Sequence, residues 1–255
     1  NVAVGTTALD AITTGDKNTA MGFNSMTDNT TGSNNTGYGA YSLYENTTGD
    51  KNQSFGYQSL NNNTTGSDNT AFGYQSLYSN TTGTRNLAIG YSAYDNADTE
   101  NDNLAIGYWA LGGAIDGGEY NVAIGNYSLD ANTTGDKNVA IGYNAMTTNT
   151  TGENNMAMGY QSLYSNIQGD GNVGIGYQSL KSNTTADYNT TVGYQSMQNN
   201  TTGKYNAALG KYAMKANTTG NYNAAFGANA LSSNTTAGSN TALGFNTLVT
   251  NTTGS

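Results

Sequence analysis

Asn121-Val122-Ala123-Ile124-Gly125-Asn126-Tyr127-Ser128-Leu129-Asp130-Ala131-Asn132-Thr133-Thr134-Gly135-Asp136-Lys137 decides the fold, because the chain repeats it at once. Asn138-Val139-Ala140-Ile141-Gly142-Tyr143-Asn144-Ala145-Met146 follows, and the same phrase runs to both ends. Units begin at Asn1, Asn18, Asn35, Asn52, Asn69, Asn86, Asn103, Asn121, Asn138, Asn155, Asn172, Asn189, Asn206, Asn223 and Asn240. Thirteen of them have 17 residues, the one from Asn103 has 18 and the last has 16. A fixed period of this kind marks a repeat architecture. Residues 1–255 therefore read as a single repeat domain, irregular at 95–120. Asn1 opens a unit without a Met, so the chain reads as a segment of a longer protein.

Position by position, the unit is strict. Position one is always Asn and position five always Gly. Position four is large and apolar or aromatic, as at Ile124, Ile141 and Phe72; position nine is Leu, Met or Tyr, as at Leu129 and Met146. Positions three and eight are small, position six is Tyr in eight units, and positions twelve to fifteen approximate Asn-Thr-Thr-Gly. Two glycines per unit and Asn-Thr-Thr are poor helix material. The pattern predicts two short strands per unit, around positions two to four and eight to ten. Gly at five marks a tight turn or close backbone approach, and Asn-Thr-Thr-Gly the second turn.

Positions four and nine are five apart, which puts them on opposite faces of a continuous strand. A turn between them lets both face one interior. The expected fold is all-β: a parallel β-solenoid or β-roll, one coil per repeat, each position stacking on itself about 4.8 Å along the axis. Fifteen coils would make a rod of roughly 70 Å. Position one then becomes an asparagine ladder. Asn121, Ile124, Gly125, Leu129, Asn138, Ile141, Gly142 and Met146 are the structural residues of the two model units.

Leu, Ile, Val and Phe make up only 34 of 255 residues. That share warns of disorder when apolar residues are scattered, but here they recur at fixed places. Each coil can bury about two large aliphatics, at about 1.5–3 kcal/mol each, against an ordering cost on the order of 25 kcal/mol for the coil. The shortfall predicts an oligomer, with the small residues at positions three and eight as a second surface for close packing against another chain.

The chain lacks Cys, His and Pro, and carries 8 basic and 17 acidic residues for a net charge of −9. Without Cys there is no disulfide or thiolate site, and without His no group titrates near neutrality in its ordinary range. Nucleic-acid binding is not expected, since phosphate contacts need Lys and Arg. No run of about 18 apolar residues suggests membrane insertion. No nucleophile–base pair is repeated, and no enzyme is expected.

Two adjacent irregular loops gather Asp95, Asp98, Glu100, Asp102, Asp116 and Glu119 around the single Trp109. Asp98, Glu100, Asp102, Asp116 and Glu119 form a calcium candidate, since Ca²⁺ takes oxygen ligands, although the spacing is not that of an EF-hand. A solvated, variable loop pair is the simpler reading. Asn29, Asn46, Asn63, Asn80, Asn132 and Asn149 each open an Asn-Thr-Thr sequon and are formal N-glycosylation acceptors. Their simpler reading is as turn residues.

Asn-Val-Ala-Ile-Gly (121–125, 138–142), Asn-Leu-Ala-Ile-Gly (86–90, 103–107) and Gly-Tyr-Gln-Ser-Leu (73–77, 159–163, 176–180) resemble the head repeats of trimeric autotransporter (YadA-like) adhesins. With Asn-Thr-Thr-Gly they resemble still more the repeats of phage tail-fibre shafts. The resemblance covers the whole chain, although adhesin-head repeats are typically shorter than 17 residues. It implies a left-handed, homotrimeric β-roll that is extracellular, on a cell surface or on a virion, used for structure and attachment.

The expected function is a structural segment of a fibre, surface filament or adhesin, with lateral self-association, end-to-end stacking into a longer filament, or both. The alternative is a monomeric solenoid that binds a cell-surface glycan, or ice. The ice reading is weakened because paired threonines such as Thr133 and Thr134 point to opposite faces of a strand.

Overall fold

The structure, a computed structural model, describes residues 1–254. It is all-β: each repeat is one coil of a parallel β-solenoid. The chain forms two compact units, Asn1–Asn126 and Tyr127–Ser255. The first holds strands at Val2–Val4, Thr19–Met21, Thr36–Tyr38, Gln53–Phe55, Thr70–Phe72, Leu87–Ile89, Leu104–Ile106 and Val122–Ile124. The second holds strands at Val139–Ile141, Met156–Met158, Val173–Ile175, Thr190–Val192, Ala207–Leu209, Ala224–Phe226 and Thr241–Leu243. Within each unit sequence neighbours pair in parallel and in register, position on position, as in Val2↔Thr19, Ala3↔Ala20 and Val4↔Met21, or Met156↔Val173, Ala157↔Gly174 and Met158↔Ile175.

Each coil has one strand, not the two expected. Positions eight to ten are turn backbone. The cause is left-handed backbone at positions seven and nine: φ is 47–60° from Thr7 to Asn246 and 46–54° from Leu9 to Leu248. Position seventeen is left-handed too, as at Lys17 and Tyr205. For a Leu or Met this conformation costs on the order of 1–3 kcal/mol. Two things hold it in place. The position-nine N–H donates to the next coil, as from Met26 to the Ser42 carbonyl at 2.9 Å. The turn also swings the side chain inward, so Met26, Leu43, Leu60, Leu129 and Met146 are wholly buried.

The interior therefore differs from the expected one. Positions three and eight, expected on an outer packing surface, line the core: Ala20, Ala71, Ala140, Ser25, Ser59 and Ala145 are fully buried. Position four, expected inside, lies on the outer face of the strand, with Phe72 57% and Leu209 48% exposed and Ile124 and Ile141 half-buried. Strand alternation explains both: once the small position three faces in, two and four must face out.

Gly at position five is required by geometry. Its φ is 130–146° in every coil but the last. A Cβ on Gly142 would lie 2.6 Å from the Gly159 carbonyl oxygen, which is backbone and cannot step aside.

Two asparagine ladders run inside. At position one, the Asn1 Oδ1 accepts the Asn18 N–H at 2.8 Å, and the Asn18 Nδ2 donates to the Gly32 carbonyl at 2.8 Å. This is the expected ladder, built amide-to-backbone. Position twelve carries the second, amide-to-amide: the Asn46 Nδ2 donates to the Asn29 Oδ1 at 2.8 Å and to the Gly49 carbonyl at 3.1 Å. Asn63 and Asn80 continue it. The Gly49 carbonyl also accepts from the Asn35 Nδ2 at 2.7 Å, so one glycine carbonyl ties both ladders together. Apart from Asn1 in the terminal coil, these side chains are buried, and satisfied hydrogen bonding is what makes that tolerable.

Candidate interaction face

The site candidates of the sequence resolve into structural parts. Asn29, Asn46, Asn63, Asn80, Asn132 and Asn149 are all completely buried. Their amide nitrogens are engaged, as in Asn132 to the Gly135 carbonyl at 2.9 Å and Asn149 to the Asn132 Oδ1 at 2.8 Å. A glycan there would require pulling the amide out of the core, so these residues fit the turn-and-ladder role and not the acceptor role in the folded chain.

The acidic loops do not assemble a cation cage. Among the described residues no three carboxylates come together in a group that could hold a metal. Each of four candidates has another partner. Asp98 accepts from the Thr81 hydroxyl. Asp102 takes the Arg85 guanidinium in a two-pronged pair at 2.6 and 2.7 Å; the Arg85 hydrogen bond holds this carboxyl below its usual range. The Glu119 Oε1 accepts from the Asn101 Nδ2 at 2.8 Å. The fifth candidate, Asp116, is exposed.

Glu100 is the informative one. It occupies the Gly position of the turn and is 4% exposed. Its Oε2 accepts the Asp98 and Thr99 N–H groups at 3.0 and 3.1 Å, and its Oε1 the Gly117 N–H at 3.0 Å. In a regular coil the N–H groups equivalent to those of Asp98 and Thr99 donate to a threonine carbonyl one coil on, as Thr30 and Thr31 do to Thr47, while Gly117 belongs to the following coil. The Glu100 carboxylate replaces that carbonyl where the following coil is irregular. Beside it Tyr94 fills position nine, its hydroxyl accepting from the Asn103 Nδ2 at 2.6 Å. Burial pushes the Tyr94 phenol well above its ordinary range, and the nearby Glu100 charge adds to the shift.

What the molecule offers outward is the strand face. Positions two and four stand on it; position six comes just past the Gly bend, within about 7 Å along the chain, and opens the adjoining turn. Position six builds two four-ring stacks, one in each unit. Tyr57, Tyr74, Tyr91 and Tyr108 stack with centroids 5.4, 4.8 and 5.3 Å apart and planes within 17°. Tyr143, Tyr160, Tyr177 and Tyr194 do so at 5.6, 5.3 and 5.0 Å, within 10°. Each of these tyrosines stays 40–46% exposed. Tyr38, Phe55 and Phe72 form a looser column at position four, at 5.8 and 5.6 Å.

The ring geometry limits what this face can recognise. Within a stack the ring faces cover one another, so edges and hydroxyls point outward. Three of the four stack ends also meet a ring at a steep angle: Tyr41 meets Tyr57, Tyr127 meets Tyr143, and Tyr212 meets Tyr194. A sugar stacks on the face of an aromatic ring, and that face is taken. A third ladder, at position seventeen, was missed from the sequence: Tyr188, Tyr205 and Tyr222 stack at 5.3 and 5.3 Å and are 50–64% exposed. Three tyrosines at the period were its signal.

The threonine turn is half engaged. Position-thirteen hydroxyls donate to the next coil, as from Thr30 to the Thr47 carbonyl at 3.0 Å, which leaves position fourteen exposed as a single rank. Comparison of the chain with protein-family models, curated proteins and solved structures finds no match.

Proposed function

We propose that this chain is a structural repeat segment of an extracellular fibre, surface filament or adhesin, and that it works by self-association, as a homotrimer. The observation that carries the reading is the repeated apolar and aromatic strand face, turned to solvent coil after coil. Contiguous exposed apolar surface beyond a few hundred Å² marks an interaction site. The resemblance of the repeat to tail-fibre and adhesin-head units points the same way and supplies the number three. Non-catalytic attachment outside the cell or on a virion is part of this reading.

The glycan alternative draws on the exposed tyrosines, but their covered ring faces speak against it. Light scattering combined with small-angle X-ray scattering on the purified chain tests the proposal. The expected result is an elongated particle of three times the 26.5 kDa chain mass. A well-folded single chain at micromolar concentration would overturn it and bring the monomeric binding module forward.

A further inference from the structure

We propose that the outward strand face, positions two and four, together with the position-six rank just past its bend, is the surface on which a second copy of this chain docks, ladder against ladder. The inference rests on the self-association reading and assigns it a surface. The sequence-based expectation placed that contact on the small residues of positions three and eight, which are buried in the core.

Charge is the first argument. Across all fifteen coils, positions two, four and six hold a single charged residue, Lys211. The chain's other 24 charged residues lie elsewhere in the repeat, as at positions ten, sixteen and seventeen. The core of a protein interface is depleted of charge in this way, with aromatic residues and Met enriched and polar groups at the rim.

Area is the second. In unit Asn1–Asn126 alone, ten large side chains at positions two, four and six, among them Val4, Phe23, Phe72 and Ile89, are 37–57% exposed. With roughly 150–250 Å² for an aromatic side chain and somewhat less for an aliphatic, they present on the order of 800 Å², about what one partner contributes to a stable interface.

Pitch selects the partner. The face offers one rank of side chains per coil, at the strand spacing of about 4.8 Å. A surface with that spacing sustained over many ranks is matched by another surface of the same spacing, and this chain supplies one. Edge-on tyrosines suit such a contact: their outward hydroxyls can donate and accept across it, and their edges can meet aromatic faces.

The test uses the full chain. Phe72→Asp with Ile89→Asp places two carboxylates on the strand face, and Thr65→Asp with Thr82→Asp places two on the equally solvent-facing threonine rank. By light scattering, the first variant falls to the single-chain mass while the second keeps the wild-type mass. If the strand-face variant keeps the multimeric mass, this inference is wrong and the self-association reading stands; if the wild type itself is a single chain, both fail. A milder probe covers misfolding of the charged variant. The chain has no Cys, so Ile89→Cys and Thr82→Cys each introduce one thiol. In the multimer the cysteine at 89 reacts with a maleimide at least tenfold more slowly than the one at 82, and equal rates would overturn the inference.

Discussion

Seven asparagines, from Asn132 to Asn234, bond amide to amide through the second unit without a break, whereas in the first unit the same ladder runs from Asn29 to Asn80 and stops. Beyond Asn80 the place is taken by Ala97 and then by Ile115. Every rung donates toward the N-terminus, so a ladder ends on an Oδ1 that has no donor. Among the described residues the two buried side-chain atoms without a partner are those ends, Asn80 Oδ1 and Asn234 Oδ1. The comparison teaches how the coils hold together. The greasy core is thin, and continuous buried amides carry the cohesion from coil to coil. Where the position-twelve ladder lapses, at 95–120, the position-one ladder runs on through Asn86, Asn103 and Asn121, and single side chains stand in for the rest: the Glu100 carboxylate for a missing carbonyl, and Tyr94 for a leucine.

The largest expected effect sets a regular glycine against an irregular one. Gly142→Ala drives a Cβ into the Gly159 carbonyl at a φ of +136°, and costs about 3 kcal/mol or more in denaturant unfolding. Gly117→Ala, at a φ of +106° with nothing within 4 Å, costs about 1 kcal/mol. Equal losses would mean that crowding between coils is not what demands glycine at position five.

Next comes the ladder itself. Asn183→Ala removes the bonds to the Asn166 Oδ1 and the Ala186 carbonyl, both inside the core, and the one accepted from Asn200. A loss of about 2–4 kcal/mol is expected, because buried partners are left unpaired. Ala97→Asn is the reverse experiment: it offers a donor to the orphaned Asn80 Oδ1 and is expected to stabilise by about 0.5–1.5 kcal/mol. A destabilising Ala97→Asn would show that the irregular coil has no room for the rung.

Glu100→Gln leaves one oxygen where two serve three N–H groups, and is expected to cost about 1–2 kcal/mol. Hydrogen exchange should place the loss at 95–120, and an effect spread over regular coils would count against the local role.

The smallest effect belongs to the exposed Arg85–Asp102 pair, whose Asp102 carboxyl titrates below its unfolded value. Its contribution is present above the ordinary Asp range and is lost as pH falls through the lowered folded value. Asp102→Asn should remove that small acid-side dependence and little else.

Much of this was legible in the sequence, and the failures have physical causes. The period gave the coil, the alternation at two to four gave the strand, and Gly at five gave the close approach. The interior was misplaced because Leu and Met at position nine sit in left-handed backbone, a conformation their residue types argue against. Small residues at position three did signal confinement: only Ala, Gly, Ser or Thr occurs at a point facing the position-nine side chains. Position twelve was read as turn chemistry because turns and ladders both favour Asn. Asn166 distinguishes them. There the sequon is lost to Ile167-Gln168, yet the asparagine stays, wholly buried and bonded to the Asn149 Oδ1 at 2.9 Å. The calcium candidates were read from two acidic loops that stacked coils bring near one another, and composition cannot reveal that Glu100 turns inward onto its own loop.

Residue-resolved hydrogen exchange on the intact chain tests the account most directly. If buried amide ladders bind coil to coil, the backbone N–H groups of the coils from Asn138 to Asn217 exchange slowest, and those of 95–120 open orders of magnitude faster. Protection in 95–120 equal to or above that of the ladder-bearing coils would contradict it.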